Sequence, residues 1–214
     1  LILVRGFFIS ATDTNIGKTI VCAILGEKIG ANYYKPIQCG LDDKRLTDCD
    51  KVRQLSLSIN IFKETYFFKE PVSPYVASKN EKKKIDLNKI FEIKKLEMDK
   101  KLLVEGAGGL YVPIKRNYFM SDLCKDFGLP LILVTKTDLG TINHTLMSLE
   151  IIKYKRINLH GIIFIGDQQK DTVDYIKTAG KNIIKQKIKI LGRLPFLKKI
   201  TPQHIKEFGK KVKL

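Results

Sequence analysis

The sequence predicts an α/β fold, a mostly parallel sheet covered by helices on both faces in a three-layer α/β/α arrangement. Three observations carry this. Apolar runs without alternation recur along the chain, amphipathic runs of helical period separate them, and a short polar loop joins the first apolar run to the first amphipathic one. Strands that are apolar throughout are buried on both faces, which requires helices above and below them.

Arg5–Ile9, Lys101–Val104, Pro130–Thr135 and Gly161–Ile165 read as buried strands, with Ile188–Leu191 as a later one and Asn32–Tyr34 as a short one. Thr19–Ile29, Leu87–Leu96, Thr141–Lys155 and Thr172–Ile184 carry apolar residues at spacings near three and four, the period of a helix packed on one face. In such sheets ligands bind beyond the carboxyl ends of the strands. Phe67 to Lys84, with Pro71, Pro74 and a lysine run, is the least regular stretch and is expected to form a long surface excursion near the site. No internal repeat or Gly/Ser linker divides the chain, so residues 1–214 are read as a single domain.

Composition narrows the class. With 44% hydrophobic and 9% aromatic residues over 214 positions, the chain has the material for an ordinary globular core. No apolar run approaches the ~20 residues that span a bilayer, and Leu1 to Val4 is too short for a signal-peptide core and continues into the first strand, so a cytoplasmic location is expected. Cys22, Cys39, Cys49 and Cys124 form no CxxC pair, which fits free thiols in a reducing compartment and disfavours zinc. The net charge of +17 invites a nucleic-acid or membrane reading. However, the lysines fall in scattered groups such as Lys82 to Lys84, Lys94-Lys95 and Lys210-Lys211 without aromatic interleaving, so they are read as solvated faces, with neither partner expected.

Ser10 to Thr19 lies between the first strand and the first helix and reads as a phosphate-binding loop. A tight turn after a buried strand points successive backbone N–H groups inward, and with the positive end of the helix they cradle a polyphosphate. Lys18 would reach the outer phosphates and the Thr19 hydroxyl would complete the shell of a Mg²⁺ bridging them. The usual pattern opens with Gly where Thr12 stands, leaving Gly17 as the one position of obligatory backbone freedom. The plainer alternative is a Gly-Lys-Thr that merely begins a helix.

Other strand ends supply the partners such a loop needs. Leu102 to Val104 leads to Glu105 and then Gly106-Ala107-Gly108-Gly109, a carboxylate placed for Mg²⁺ beside glycines that let a ligand approach the backbone, or else a glycine-rich turn with a solvated Glu. Lys35 follows the short strand, where an ordinary surface lysine is the competing reading. Thr47-Asp48-Cys49-Asp50 brings carboxylates to the start of a helix, where Asp is also a routine N-cap.

Taken together, these residues resemble the dethiobiotin synthetases of the biotin pathway. The family's ordered motifs are met by Thr12-Asp13-Thr14 with Gly17-Lys18-Thr19, Lys35-Pro36, Thr47-Asp48, Glu105 through Gly109, and Gly140-Thr141-Ile142-Asn143-His144. The resemblance spans Phe8 to about Leu197 and implies a P-loop NTPase-like fold of the SIMIBI type. It also implies an ATP- and Mg²⁺-dependent ring closure in which 7,8-diaminononanoate and CO₂ give the cyclic urea dethiobiotin through a carbamate and its phosphorylated form.

By the same resemblance, Lys35, Lys18 and Thr14 carry the chemistry, and Thr19, Asp48 and Glu105 hold the metal. The nucleotide meets Asn15, Ile16, Gly17, Lys18, Thr19 and Ile20, together with Asp48, Glu105, Gly106, Ala107 and Gly108; Gly166, Asp167, Pro195, Phe196 and Leu197 lie about the base. The substrate meets Thr14, Lys35 and Cys39, and its distal carboxylate meets the helix start Gly140, Thr141, Ile142 and Asn143 of the other subunit, which makes a homodimer part of the site. His144 is then a packing or interface residue. Lys35→Ala is expected to fold normally and lose catalysis, and Glu105→Gln to weaken the use of Mg²⁺ and nucleotide.

Departures from the family pattern sharpen these expectations. Ala11 and Cys39 stand where the family has Gly and Ser or Thr, and a thiol is a weaker hydrogen-bond donor than a hydroxyl. Gly166-Asp167 replaces an Asn-Asp whose amide reads adenine, so weaker adenine discrimination is expected, with GTP or other triphosphates accepted. Thr135-Lys136-Thr137-Asp138 resembles the guanine-reading motif of GTPases but ends the strand before the base loop. The competing class is a ParA/MinD-like partitioning or maturation ATPase acting on DNA or a membrane. Its signature lysine position is Asp13 here, and His204 to Leu214 is short and polar for a membrane helix.

Overall fold

The first apolar run becomes the centre of the sheet. The structure, a computed structural model, describes residues 5–214, and the reading of Leu1 to Val4 lies outside the described residues. The first half of the chain forms β1 (Gly6–Ala11), α1 (Lys18–Ile29), β2 (Asn32–Tyr34), β3 (Ile37–Cys39), α2 (Asp48–Leu55), β4 (Asn60–Phe62), β5 (Tyr66–Phe68), α3 (Pro74–Asn80) and α4 (Leu87–Phe91). After a 3₁₀ turn (Glu92–Lys95) come β6 (Leu102–Gly109), β7 (Pro113–Lys115), β8 (Tyr118–Phe119), α5 (Met120–Phe127), β9 (Leu131–Lys136), α6 (Thr141–Lys155), β10 (Leu159–Ile165), α7 (Lys170–Ile184), β11 (Ile190–Leu194) and α8 (Pro202–Lys211).

Seven strands pair in parallel in the order β11-β10-β9-β1-β6-β2-β4, as the unalternating apolar runs require. Phe8 faces a core with Val104, Leu131, Leu133 and Phe164, while Ile9 and Ala11 face the opposite core with Val21, Ile24 and Leu25 of α1. From β1 the chain builds β2 and β4 toward one edge and later β9, β10 and β11 toward the other. The loop after β1 therefore stands where strand order reverses, the place where open parallel sheets leave a crevice.

Several elements differ from the sequence reading for identifiable reasons. The Glu-Gly-Ala-Gly-Gly run, read as following a strand, belongs to β6 itself, whose register with β1 shifts between Ile9 and Ala11. A Cβ on Gly109 would lie 3.3 Å from the carbonyl oxygens of Ala11 and Thr12, so glycine is what allows the two backbones to meet there. The helix expected at Leu87–Leu96 is one short helix and a 3₁₀ turn.

The Phe67–Lys84 excursion contains α3 and is tied down. The Glu81 carboxylate accepts from the Lys69 N–H at 2.6 Å, and the Lys83 ammonium lies over the Tyr66 and Phe68 rings. The terminal segment forms α8, whose apolar residues Ile205 and Phe208 are buried in the core shared with α1. Among the described residues no helix is long and apolar enough to cross a membrane.

Candidate active site

The turn after β1 begins with Thr12, whose N–H continues the ladder by donating to the Val134 carbonyl at 3.0 Å. Gly17 holds φ at +112°, a conformation that L side chains rarely adopt, and Asn15 also takes positive φ at 55°. The turn is braced by the Thr14 N–H donating to Asp13 Oδ1 at 2.6 Å. Lys18, the first residue of α1, folds back so that Nζ donates to the Asp13 carbonyl at 3.1 Å. Burial, and after it the charge of Lys35, lowers the Lys18 pKa to about 8.

Facing this loop is a buried polar knot built from residues of β2, β3 and β6 or just beyond them and from the starts of α1 and α2. Lys35, just beyond β2, is 3% exposed. Its Nζ lies 2.7 Å from Asp48 Oδ2 and 2.9 Å from Glu105 Oε1, and it donates to the Gly106 carbonyl at 3.2 Å. Glu105 Oε1 also accepts from Thr19 Oγ1 at 3.0 Å, while Oε2 accepts from the buried Tyr33 hydroxyl at 2.8 Å. Asp48 begins α2, where Thr47 and Asp50 form a reciprocal cap, and its N–H donates to Gln38 Oε1 at 3.2 Å.

The electrostatics follow from burial opposed by pairing. Burial disfavours the Lys35 ammonium, but Asp48 and then Glu105 outweigh it and raise its pKa. Burial likewise raises the Asp48 carboxyl, and the Lys35 charge overrides that and holds it at about 2. The Cys39 thiol is pushed up to about 12 by burial and stays protonated at neutral pH.

These groups open on one cavity of about 680 Å³. Of the residues expected from the sequence, it is lined by Thr14, Asn15, Gly17, Lys18, Thr19, Ile20, Lys35, Cys39, Asp48, Glu105, Ala107 and Gly108. Pro71, Val72, Ser73 and Pro74 of the excursion form part of its wall, as the sequence reading placed them. Ile16 is buried beneath the loop, and Gly106 contributes its carbonyl to Lys35. Gly140, Thr141, Ile142 and Asn143 begin α6 outside this cavity.

Gly166, Asp167, Pro195, Phe196 and Leu197 follow β10 and β11, also outside it. Gly166 has φ +128°, and a Cβ there would overlap the Thr137 hydroxyl. Its N–H donates to the Leu194 carbonyl at 2.8 Å, and its carbonyl accepts from Arg193 Nη1 at 2.6 Å. The Thr135 to Asp138 segment is thus a direct neighbour of the Gly166 loop. A Cβ on Gly17 would touch Ile165 at 3.5 Å, which sets that loop beside the phosphate turn.

Some contributors were not legible in the sequence. Tyr33 reads only as a strand residue, and Gln38 only as part of the segment that follows the short strand. Thr135, fully buried, bonds the hydroxyls of Thr12, Thr141 and Thr145 at 3.0 to 3.2 Å, which ties the phosphate turn to the start of α6. A threonine in an otherwise apolar strand is the only trace of that in the sequence.

The donor set suits a hard divalent cation. Two carboxylates and a hydroxyl, all oxygen, converge on one side of the loop, and Mg²⁺ in phosphate sites takes one or two carboxylates and keeps water and phosphate for the rest.

Comparison with known proteins agrees with this geometry. Residues 5–204 match a family described as an AAA domain. The chain is 43% identical to the ATP-dependent dethiobiotin synthetase of Lawsonia intracellularis over 91% of its length and 90% of that protein's. It is 38% identical to the same enzyme of Agrobacterium fabrum over 92% of its length and 89% of that protein's. Among solved structures, a ParA family ATPase from Chlorobium tepidum superposes with a TM-score of 0.56 at 13% identity, covering 97% of this chain and 98% of that one. The MinD cell division protein of Aquifex aeolicus gives 0.53 at 11% identity, covering 97% and 95%. These last two likenesses are of fold alone. Motif order, the polar knot beside the phosphate loop and identity along nine-tenths of the chain converge, and this protein belongs to the dethiobiotin synthetase family.

Proposed function

We propose that the protein closes the ureido ring of dethiobiotin from 7,8-diaminononanoate and CO₂ at the expense of a nucleoside triphosphate. The observation that carries the reading is the convergence of Lys18 and Lys35 on one cavity with the oxygen donors Thr19, Asp48 and Glu105. One substrate amine takes up CO₂ as a carbamate, the γ-phosphoryl passes to a carbamate oxygen, and the second amine displaces phosphate as the ring closes. Each step gathers negative charge on oxygen. Lys18 leaves the Asp13 carbonyl for the outer phosphates, and Lys35 neutralises the carbamate and the transferring group.

The Thr14 hydroxyl orients the same oxygens from the cavity wall. The backbone from Asn15 to Ile20 cradles the triphosphate, with Gly106, Ala107 and Gly108 along its flank. Thr19, Asp48 and Glu105 would hold Mg²⁺, which when bound supplies charge neutralisation across the phosphates. At Cys39 the backbone rather than the protonated thiol meets the substrate.

We assign the start of α6, Gly140 to Asn143, to the substrate carboxylate of the partner subunit in a homodimer. Leu139, Met147 and Tyr154 support this by standing exposed at and along that helix. The reading treats the chain as a single domain at work in the cytoplasm, with neither nucleic acid nor membrane as a partner.

The test is phosphate release from ATP and GTP with Mg²⁺ and bicarbonate, with and without 7,8-diaminononanoate, and the mass of the product. Diamine-dependent release with a cyclic urea product supports the synthetase. Release that ignores the diamine and rises with DNA or lipid would replace it with a partitioning-type ATPase.

The nucleotide comparison has its own expected result. Gly166 presents no side chain to a base, the Thr137 hydroxyl fills the space beside it, and Phe196 is exposed nearby as an unselective flat surface. ATP and GTP are therefore expected to differ little in kcat/KM. A preference for ATP of about a hundredfold or more would overturn this, since that is the scale of a paired polar contact.

Lys18 sets a pH dependence. With its pKa near 8 in the free protein, the ammonium that attracts polyphosphate is present below that value and lost above it. Nucleotide affinity is expected to hold from pH 7 to about 8, then fall, with proton uptake on binding at higher pH. Lys18→Gln is expected to bind weakly with no such fall. A fluorescent nucleotide titrated from pH 7 to 10 checks both, and equal affinity at both ends would exclude the role given to Lys18.

A further inference from the structure

We propose that Tyr33 is a positioning residue for Glu105, fixing which carboxylate oxygen faces the cavity. The inference rests on the reading that Thr19, Asp48 and Glu105 hold Mg²⁺ beside the nucleotide. Tyr33 is fully buried in β2, whose pairing sets it opposite Leu103 of β6. Side chains two apart on a strand share a face, so Tyr33, Leu103 and Glu105 all point toward α1. Glu105 lies two residues further along β6, about 6.6 Å at the ordinary strand rise, a span that the length of a tyrosine side chain covers. The hydroxyl closes that span at 2.8 Å on Oε2.

The division of labour on this carboxylate is asymmetric. Oε1 takes Thr19 and Lys35, both lining the cavity, whereas Oε2 takes the phenol from inside the sheet. A phenol with no access to water is unfavourable unless it is hydrogen-bonded, and the same site would otherwise suit phenylalanine. With Oε2 anchored, Oε1 is presented to the cavity in one orientation. Without the anchor the terminal carboxylate torsion is soft, and Lys35 and Thr19 on Oε1, with the buried Cys22 thiol nearby, decide where it points. Partners that orient a metal-binding carboxylate in this way commonly change metal affinity by about 10- to 100-fold when removed.

Tyr33→Phe keeps the ring and removes the anchor. We expect it to raise the Mg²⁺ concentration that half-saturates the Mg²⁺-dependent binding of a fluorescent nucleotide by about tenfold. Nucleotide affinity without Mg²⁺ and kcat at saturating Mg²⁺ should each stay within about twofold of wild type, a split that general loosening of the core would not produce. In a Glu105→Ala background, which leaves nothing for the phenol to orient, the same change should add nothing further to the Mg²⁺ requirement.

An unchanged Mg²⁺ requirement, an additive effect in the Glu105→Ala background, or equal losses with and without Mg²⁺ would overturn the proposal, as would a wild-type protein whose nucleotide binding ignores Mg²⁺. Thermal melting checks that the variant is folded, and sucrose is added to all proteins alike should its melting fall toward the assay temperature. Binding needs no diamine. A wild-type protein that binds Mg²⁺ and nucleotide but forms no cyclic urea would sink the synthetase reading and leave the Tyr33 experiment intact.

Discussion

Lys35→Ala is expected to lose turnover by about 10³-fold or more, because it removes one of the two buried cations, the other being Lys18, aimed at the oxygens on which charge develops. The structure revises the accompanying expectation that the variant folds normally. Lys35 is the common partner of Asp48 and Glu105, both largely buried, and its removal takes away the ammonium that pairs both directly, leaving the less direct charges of Lys18 and Lys51. Breaking a buried pair from one side costs about 3–5 kcal/mol, so a clear loss of stability is expected.

The pH dependence of that loss separates pairing from packing. In the wild type Asp48 is held at about 2, below its unfolded value, so its contribution is present above that unfolded value and fades as pH falls through about 2. In Lys35→Ala the carboxyls gain in the folded state by keeping a proton, so stability rises toward acid instead. Urea unfolding at pH 5 and pH 8 should show the deficit larger at pH 8. Wild-type-like turnover would remove Lys35 from the chemistry, and a deficit equal at both pH values would mean that packing rather than charge was lost.

Glu105→Gln is expected to fold and to fail differently. The amide oxygen can take the place of Oε1 toward Lys35 and Thr19, while the amide N–H₂ donates to the Tyr33 oxygen, which turns to accept. Lys35 keeps Asp48 as a counter-ion. Each contact is thus kept, although the buried phenol hydrogen loses its acceptor, while one unit of negative charge disappears from the set meant for Mg²⁺. The Mg²⁺ needed for half-maximal turnover should rise by about 10- to 100-fold, and unliganded stability should fall by no more than about 1–3 kcal/mol, the cost of the unpaired phenol. Activation by Mg²⁺ identical to wild type would exclude Glu105 from the metal's surroundings.

What was legible in the sequence was what local physics controls. Unalternating apolar runs located β1, β6, β9 and β10 because strands buried on both faces are apolar over most of their length, with polar residues such as Ser10, Glu105 and Thr135 entering only toward the site. The three-to-four spacing gave α6 at both ends, Thr141 to Lys155, as the structure has it. The helix at Met120–Phe127 does put its apolar residues on one face, but eight residues make only about two turns, too short a run to stand out from the strands around it. α8 was passed over for a related reason, since its stability comes from packing on α1 more than from its own composition.

The site divides along the same line. A phosphate turn is a property of ten consecutive residues, so Gly17, Lys18 and Thr19 declared it without help, and the order of motifs declared the family. By itself the sequence determined the fold class, the loop and the list of groups that chemistry would need. The tertiary structure alone decided that Lys35 is a buried ion partner, that Tyr33 anchors Glu105 from inside the sheet, that Thr135 binds the phosphate turn to α6, and that Thr137 stands against Gly166. The physical reason is distance along the chain. The Lys35–Glu105, Tyr33–Glu105 and Thr12–Thr135 bonds join residues 70, 72 and 123 positions apart, and only the parallel pairing of strands brings such residues within reach of one another.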